Sequence, residues 1–227
     1  MKIGIVTFPG SLDDRDAAAA FDLAGGGRVE AVRLWHADRD LGGVDAIVLP
    51  GGFSYGDYLR CGAVASRSPV MAEVGRFAAE GGPVLGICNG FQILCEAGLL
   101  PGALLRNENL RFVCREAELI LESTCAWTTG LEPGTRLQLP VKHGEGRYHA
   151  DPATLDELES SGRVLARYAP GHNPNGSARN IAGIVNEGRN VLGLMPHPEH
   201  SVDPDLPFGS DGRLFVEGVL AHLGAAA

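Results

Sequence analysis

The chain has 227 residues, of which 44% are hydrophobic and 21% are charged, and its formal net charge is −9 at pH 7. This length is enough for one large α/β domain with a sizeable core. The negative charge argues against a nucleic-acid partner, which usually requires a basic surface, and against an anionic membrane surface. No stretch approaches the roughly 18 consecutive apolar residues that a membrane span needs.

Strands and helices are predicted to alternate in the first half of the chain. Apolar and β-branched runs predict strands at 3–8, 29–35, 46–49 and 84–87, and helical patterns predict helices at 13–23, 68–80 and 89–97. The acids of 13–16 open the first helix, where the helix dipole favours them, and Pro69 is the first residue of the second. This alternation is typical of β-α-β units and a parallel sheet.

The pattern changes after Arg106. Antiparallel strands are predicted at 112–114, 118–122 and 135–141, then a helix at 151–161 capped by Asp151, strands at 164–168, 181–186 and 191–195 with a hairpin turn at 186–190, and a helix at 211–223. There is no internal repeat and no low-complexity linker. We therefore predict one domain over residues 1–227, an α/β fold with a mostly parallel central sheet flanked by helices and a small antiparallel sheet region.

The most informative string is Gly86-Ile-Cys-Asn-Gly90, which ends a predicted strand and opens a predicted helix. It is the sulfur version of the G-x-S-x-G nucleophile elbow. The glycines allow a sharp turn, and the helix N-terminus favours a thiolate. Most cysteines are buried core residues, and Cys95 is interpreted in that way. The elbow instead makes Cys88 the candidate nucleophile.

A second string, Met195-Pro-His-Pro-Glu199, offers a base and a carboxylate. In an extended backbone His197 and Glu199 would point the same way, so the glutamate could hold one imidazole nitrogen and leave the other for the cysteine. On its own this string would be interpreted as a surface turn. Its position after a predicted buried strand favours a Cys-His-Glu triad.

Other positions give weaker signals. Gly52, which follows the strand at 46–49, could donate its backbone N–H to an oxyanion together with the N–H of Asn89, although Gly-Gly turns after strands are common. Gln92 lies one helical turn beyond Cys88 and could face the same pocket. His143, in Val-Lys-His-Gly-Glu-Gly, could line a substrate pocket or cap a strand.

The cysteines and the missing motifs restrict the function further. The five cysteines are an odd number, no C-x-x-C occurs, and the N-terminus has no signal-peptide layout, so we expect a reduced, cytoplasmic protein. No Cys/His spacing indicates a metal site. Neither G-x-x-x-x-G-K-[ST] nor a G-x-G-x-x-G after a strand occurs, so no ATP or dinucleotide site is predicted.

Taken together, the two strings resemble those of the class I, or triad-type, glutamine amidotransferases. Longer strings are similar to those of the glutaminase subunits of phosphoribosylformylglycinamidine synthase, and they extend over nearly the whole chain, at 50–62, 83–94, 98–103, 143–146, 173–177, 181–185 and 190–199. The resemblance implies a flavodoxin-like α/β fold. It also implies site residues: Cys88 as nucleophile, His197 as base, Glu199 as orienting carboxylate, the amides of Gly52 and Asn89 as oxyanion donors, and Gln92 and His143 as contacts of bound glutamine.

The resemblance also implies a substrate and partners. Glutamine would be hydrolysed to glutamate and ammonia, and the ammonia would pass to a large ATP-dependent synthetase subunit accompanied by a small third subunit. ATP and Mg²⁺ would bind the synthetase subunit, which converts formylglycinamide ribonucleotide to its amidine, and this chain would need no cofactor.

Two positions depart from the family's strings. The family usually reads Pro-Gly-Ser-Asn-Cys-Asp where this chain has Pro9-Gly-Ser-Leu-Asp-Asp14, and it usually has an arginine where this chain has His200. The first departure is expected to alter local loop contacts without altering the chemistry. The second leaves open any ion pair that the arginine makes.

Three alternatives stay open. The chain could serve another triad amidotransferase, such as those for carbamoyl phosphate, anthranilate or guanylate, although the Gly-Gly-Phe-Ser-Tyr-Gly-Asp string argues against this. It could be a free-standing cysteine hydrolase or peptidase on a related fold. It could also be an inactive binding module, which the intact set of Cys88, His197 and Glu199 disfavours.

Overall fold

The structure is a computed structural model that describes residues 1–225. These residues contain eleven strands and five α-helices. The strands are β1 (Lys2–Thr7), β2 (Glu30–Trp35), β3 (Ala46–Leu49), β4 (Val84–Ile87), β5 (Ala103–Leu105), β6 (Val113–Leu121), β7 (Arg136–His143), β8 (Arg147–His149), β9 (Val164–Tyr168), β10 (Ile181–Val185) and β11 (Val191–Leu194). The helices are α1 (Asp14–Gly25), α2 (Pro69–Ala79), α3 (Asn89–Glu96), α4 (Pro152–Ser160) and α5 (Arg213–Ala225).

Nine of the strands form one sheet in the order β2-β1-β3-β4-β11-β10-β9-β6-β7. The first five are parallel, and the pairs from β11 to β7 are antiparallel. All residues of β3, β4 and β11 are buried, which is the pattern of central strands covered by helices on both faces. The carboxyl ends of these parallel strands are where a site is expected in an open α/β sheet.

Helices cover both faces of the parallel half. Leu85 and Ile87 of β4 lie against Phe21 of α1 and Phe215 of α5. Because side chains alternate along a strand, Gly86 faces the opposite side, where α3 packs. A Cβ atom on Gly86 would lie 2.5 Å from the Leu94 side chain, so the missing side chain lets α3 approach the sheet closely.

The parallel strands and their helices agree with the sequence-based prediction, and most differences are one or two residues at the ends. The capping role of Asp151 is confirmed, since its side chain accepts a hydrogen bond from the Thr154 N–H. The predicted hairpin at 186–190 joins the antiparallel pair β10 and β11. The predicted fold class, a mostly parallel sheet with helices on its faces and an antiparallel region, is confirmed.

The antiparallel region differs in two details. The segments at 112–114 and 118–122 are one continuous strand, β6, because its exposed half tolerates the charged residues that interrupt the apolar pattern. The antiparallel strands extend the main sheet, and the separate small sheet is formed by β5 and β8, which were not predicted.

The far edge of the sheet curls back over the parallel strands. β7 is the last strand in the order, yet its Pro140 carbonyl accepts a hydrogen bond from the His197 N–H, which follows β11. The end of β7 therefore lies above the carboxyl edge of β4. No helix within residues 1–225 combines the length and the apolar character that crossing a bilayer requires.

Candidate active site

Cys88 occupies a sharp turn between β4 and α3. Its backbone has φ 49° and ψ −100°, a conformation that non-glycine residues rarely adopt and that is held only by surrounding structure. The turn requires Gly90, because a Cβ atom there would lie 1.9 Å from the Leu49 carbonyl oxygen. The side chain is buried at the carboxyl edge of the parallel strands. This geometry is that of a nucleophile elbow.

A cavity of about 400 Å³ opens above the elbow. This volume lies within the range of roughly 300–1,000 Å³ that small-molecule sites occupy. Cys88 and His197 both line it, together with Leu12, Asp13, Gly52, Phe53, Asp57, Cys61, Gln92, Phe112, Lys142, His143, Gly144 and Glu145. The structure thus brings the predicted nucleophile and base together, although more than a hundred residues separate them in the sequence.

His197 is fully buried and is oriented by Glu199. Its Nδ1 atom lies 2.6 Å from Glu199 Oε1, and its Nε2 atom is buried without a hydrogen-bond partner in residues 1–225. The extended segment predicted here is wrong in detail, because Pro198–His200 forms a 3-10 turn. The turn still brings the carboxylate to the imidazole, and it leaves Nε2 for a group in the cavity.

The thiol of Cys88 is neutral at rest. Burial raises its pKa well above the ordinary value, and the nearby carboxylates of Asp13 and Glu199 raise it further, while Lys142 and the Asn89 N–H oppose the shift. This differs from the thiolate expected of a helix N-terminus alone, because desolvation outweighs the dipole. The thiol lies 3.9 Å from the Lys142 carbonyl oxygen. A catalytic contact with His197 would have to form with substrate bound.

The two expected oxyanion donors lie beside the thiol. The Asn89 N–H lies next to the Cys88 thiol and lowers its pKa, and Gly52 lines the same cavity with φ 143°. A Cβ atom on Gly52 would lie 2.6 Å from the Leu12 nitrogen, so only glycine fits this backbone. The Asn89 side chain accepts a hydrogen bond from the Ser54 N–H and so fixes the glycine loop to the elbow.

Gln92 and His143 line the cavity but are also held by the protein. The Gln92 amide accepts from Asn89 Nδ2 at 2.8 Å and donates to the Glu145 carbonyl at 2.7 Å. His143 contacts Asn107 through Nδ1 and Asn175 through Nε2. Burial and the nearby His197 lower the pKa of His143 to about 4, so it is neutral at pH 7. Both residues therefore support the wall of the cavity.

Asp13 is a site residue that the sequence analysis did not identify. It stands before α1, but its side chain makes no capping hydrogen bond. Its Oδ1 atom lies 2.6 Å from Lys142 Nζ and 3.4 Å from His200 Nε2, and its Oδ2 atom lies 3.7 Å from His197 Nδ1. Burial alone would raise the pKa of Asp13, but the contacts with His200, His197 and Lys142 outweigh it and hold the pKa far below its usual range.

The two departures from the family strings therefore meet in space. Asp13 and His200 approach each other beside the triad, and Leu12 lines the cavity. The effect of the first departure thus extends beyond local loop contacts. The position of Asp13 after β1, at the carboxyl edge of the sheet, was the signal that could have identified it.

A second group of unpredicted residues is acidic. Asp57 and Glu145 line the cavity with Cys61, whose thiol donates to Glu145 Oε2 at 3.1 Å. Burial raises the pKa of Asp57, and the charge of Glu145 adds to the shift, against hydrogen bonds from Cys61 and Asn89. Both acids lie in strings that the resemblance had singled out, 50–62 and 143–146, but local sequence does not show that the strings meet.

One group in residues 1–225 has the residue types of a metal site. Asp13, His197, Glu199 and His200 bring ligand atoms within 4.8 Å of one another. However, the Lys142 ammonium lies 2.6 Å from Asp13 Oδ1 and 2.9 Å from His200 Nε2, where it uses the atoms that a metal ion would need. The cluster thus already contains a cation, and the absence of a metal site stays a prediction.

Comparison with known proteins agrees with this geometry. Residues 1–205 match the family model of the CobB/CobQ-like glutamine amidotransferase domain. The PurQ subunit of phosphoribosylformylglycinamidine synthase from Nocardia farcinica is 63% identical, covering 89% of this chain and 88% of the relative. The PurQ subunit from Frankia casuarinae is 59% identical, covering 99% and 95%. The structure of PurLQS from Thermotoga maritima contains a chain with TM-score 0.87 and 41% identity, covering 98% of both chains.

The fold and the elbow cavity define a glutamine amidotransferase domain. Within that class, this chain belongs to the family of PurQ subunits of phosphoribosylformylglycinamidine synthase.

Proposed function

We propose that this chain is the glutaminase subunit of phosphoribosylformylglycinamidine synthase. It hydrolyses glutamine to glutamate and ammonia with Cys88, His197 and Glu199. The ammonia passes to the synthetase subunit, which converts formylglycinamide ribonucleotide to its amidine in purine biosynthesis. The observation that carries this proposal is a strained, buried thiol in one cavity with an imidazole whose Nδ1 is held by a carboxylate and whose Nε2 has no partner in residues 1–225.

The first half of the reaction forms a thioester. Because the thiol is neutral at rest, its proton moves to His197 Nε2 as the sulfur attacks the side-chain amide carbon of glutamine. The N–H groups of Gly52 and Asn89 stabilise the oxyanion, and removing one such donor typically costs about 3 kcal/mol of barrier. The C–N bond then breaks, and the imidazolium gives its proton to the leaving nitrogen, so that ammonia departs and a γ-glutamyl thioester remains.

The second half releases glutamate. His197 takes a proton from water, whose oxygen attacks the thioester carbon, and the oxyanion forms again in the same place. When the C–S bond breaks, the imidazolium returns its proton to the sulfur. Glu199 keeps Nδ1 protonated and stabilises the imidazolium in both halves.

The acidic wall favours a free amino acid as substrate. The carboxyl groups of Asp57 and Glu145 both line the cavity, and Arg106 Nε lies 3.6 Å from Glu145 Oε1. Burial and the charge of Glu145 raise the pKa of Asp57, so an ammonium group in the cavity would favour its ionised form. Free glutamine carries such a group next to its reacting side chain, whereas a glutamine inside a peptide does not. This argues against the peptidase alternative, and Gln92 and His143 would keep the wall in place.

The rim of the cavity fits a protein partner. Three exposed apolar side chains line the cavity, Leu12, Phe53 and Phe112, and three more exposed ones, Tyr58, Leu59 and Leu110, lie within two positions of lining residues in the sequence. We define these six residues as the rim. Leu59 and Leu110 are 90% and 76% exposed and adopt φ of 72° and 57°, so the backbone holds two strained leucines in water. Clustered exposed apolar residues mark interaction sites. We assign the rim to the synthetase subunit PurL, with PurS completing the assembly.

The remaining assignments follow from this role. Amidine synthesis consumes ATP, and the sequence of this chain has no phosphate-binding motif. ATP and Mg²⁺ therefore bind PurL, and this chain uses no cofactor. We also propose a cytoplasmic location, which the free cysteines and a role in purine synthesis support.

The test is reconstitution with PurL and PurS from the same genome. Glutamine-dependent and ammonium-dependent amidine formation are measured with the wild type and with Cys88→Ala. The variant is expected to lose glutamine-dependent synthesis and to keep ammonium-dependent synthesis. Cys95→Ala is the matched control, because it removes another thiol of the same helix region that does not line the cavity. Glutamine-dependent synthesis by Cys88→Ala would contradict the proposal, and hydrolysis of glutamine-containing peptides in preference to glutamine would favour the peptidase.

A further inference from the structure

His197 lies between two buried carboxylates. Glu199 Oε1 is 2.6 Å from His197 Nδ1, and Asp13 Oδ2 is 3.7 Å from the same nitrogen. Asp13 lies far from both residues in the sequence. The approach of Asp13 depends on Gly51, because a Cβ atom there would lie 2.3 Å from Asp13 Oδ2 and 2.8 Å from His197 Cε1. The position of the Asp13 carboxylate thus depends on the missing side chain of Gly51. The triad of Cys88, His197 and Glu199 includes only the other carboxylate.

Lys142 and His200 hold Asp13 in this position. Its Oδ1 atom accepts from Lys142 Nζ at 2.6 Å and lies 3.4 Å from His200 Nε2. The same His200 nitrogen lies 2.9 Å from Lys142 Nζ and 3.5 Å from Glu199 Oε1. Lys142 comes from β7, an edge strand of the antiparallel half, and Asp13 from the loop after β1 in the parallel half, so the cluster joins the two halves of the sheet beside the imidazole.

The charges explain why a second carboxylate is useful. When the Cys88 proton reaches His197, an imidazolium forms at a buried side chain, and nearby negative charge stabilises it. A charge at 3.7 Å from a buried group interacts strongly, so Asp13 adds to the effect of Glu199. The Lys142 ammonium opposes part of this effect.

We propose that Asp13 is a second carboxylate partner of His197, a positioning residue that stabilises the imidazolium together with Glu199 and is held by Lys142 and His200. This inference rests on the proposed function, because it needs His197 to act as a base. It makes the site a cluster of two carboxylates, one lysine and one further histidine around the catalytic imidazole.

The groups that face these histidines are known from the geometry. His200 faces Asp13, Asp16, Glu199, Lys142 and the ring of His197. His197 faces Asp13, Glu199 and His200, with Cys88 and His143 across the cavity. The two carboxylates stabilise an imidazolium at this position, and the Lys142 ammonium opposes them. Removing a carboxylate and removing the ammonium must therefore give effects of opposite sign.

The test compares Asp13→Asn with Lys142→Met in the assembled complex. Loss of the Asp13 charge removes one of the two charges that stabilise the imidazolium, so kcat/KM for glutamine at neutral pH should fall about tenfold, and the acid limb of its pH profile should move to lower pH. Loss of the Lys142 cation should move the limb in the opposite direction. Asp13→Glu should restore the wild-type profile, and Asp22→Asn, on the exposed face of α1, should leave it unchanged.

A second measurement does not need turnover. Because the Asp13 carboxylate raises the pKa of the Cys88 thiol, alkylation of Cys88 by iodoacetamide should move to lower pH in Asp13→Asn, as followed by mass spectrometry of its peptide. This readout and Lys142→Met keep the inference testable if Asp13→Asn assembles poorly. Limb positions and alkylation profiles equal to the wild type would overturn it. If Cys88→Ala also abolishes glutamine use, the proposed function stands and only the role of Asp13 fails.

Discussion

The floor of the cavity, which we define as Cys88, Asp13, His197 and Glu199, differs from an ordinary protein core, and the rim differs from an ordinary protein surface. The floor is buried, but most of its side chains are polar or charged. The rim is exposed yet apolar, with Leu59 and Phe112 among its side chains. Buried charges and exposed apolar clusters both cost stability unless something compensates them.

The two regions therefore separate chemistry from assembly. On the floor, oppositely charged groups stabilise one another, and they surround the place where substrate binds. Substitutions there should therefore change turnover while leaving the complex intact. On the rim, the compensation comes from a partner, so substitutions there should weaken the complex while leaving the floor unchanged. The following predictions test this separation, from the largest expected effect to the smallest.

The largest effect is expected from Glu199→Gln. The amide no longer stabilises the imidazolium and can favour the wrong tautomer of His197, as loss of a triad carboxylate does elsewhere. We expect kcat/KM for glutamine to fall by about 10³- to 10⁴-fold. Steady-state glutaminase assays measure this, and affinity for PurL, measured by calorimetry, should stay the same. A loss of affinity of similar size would show that floor and rim are not separate.

A smaller effect is expected where the floor meets the core, in Gly90→Ala. The new Cβ atom would lie 1.9 Å from the Leu49 carbonyl oxygen, so α3 must move away from the sheet. We expect a loss of about 3 kcal/mol in the free energy of unfolding, measured by denaturant titration. Gly75→Ala is the control within a helix, because no described atom lies within 4 Å of its Cβ position. That variant should gain up to about 1 kcal/mol.

The smallest effect is expected on the rim, in Leu59→Gly. Glycine adopts φ of 72° without strain, so the free chain should become more stable by roughly 1 kcal/mol. The same change removes an apolar contact, so affinity for PurL should fall by about tenfold, as for a moderate interface contact. Calorimetry measures both quantities, and Leu206→Gly, at an exposed leucine outside the rim, is the control for binding. Unchanged affinity in Leu59→Gly would leave the rim without a function.

The regular elements and the triad could be predicted because each depends on a short string. The apolar runs at 46–49 and 84–87 are strands with those same bounds. The glycines on both sides of Cys88 indicate the sharp turn that the structure contains. The spacing of His197 and Glu199 also indicates their contact, although they meet through a 3-10 turn rather than an extended segment. In these cases the interacting residues are neighbours in the sequence.

The rest of the site could not be predicted because its residues come together through the tertiary fold. Asp13 follows β1 and Lys142 lies at the end of β7, and only the curl of the sheet brings them to 2.6 Å. At the level of sequence, Asp13 is equally consistent with a helix cap, which is the role that propensity assigns to it. The pairing of β5 with β8 is similar, because strands of three residues carry too little pattern to be recognised.

The positive φ at Cys88 has a consequence for how this position evolves. Glycine would accept φ 49° more readily than cysteine does, so replacing the nucleophile with glycine is expected to make the chain more robust to heat while removing its reactivity. Selection for stability alone would therefore favour glycine at this position, and only selection for glutamine hydrolysis retains the cysteine. In a lineage that obtains nitrogen from another source, Cys88 should be substituted first, while the rest of the fold is preserved.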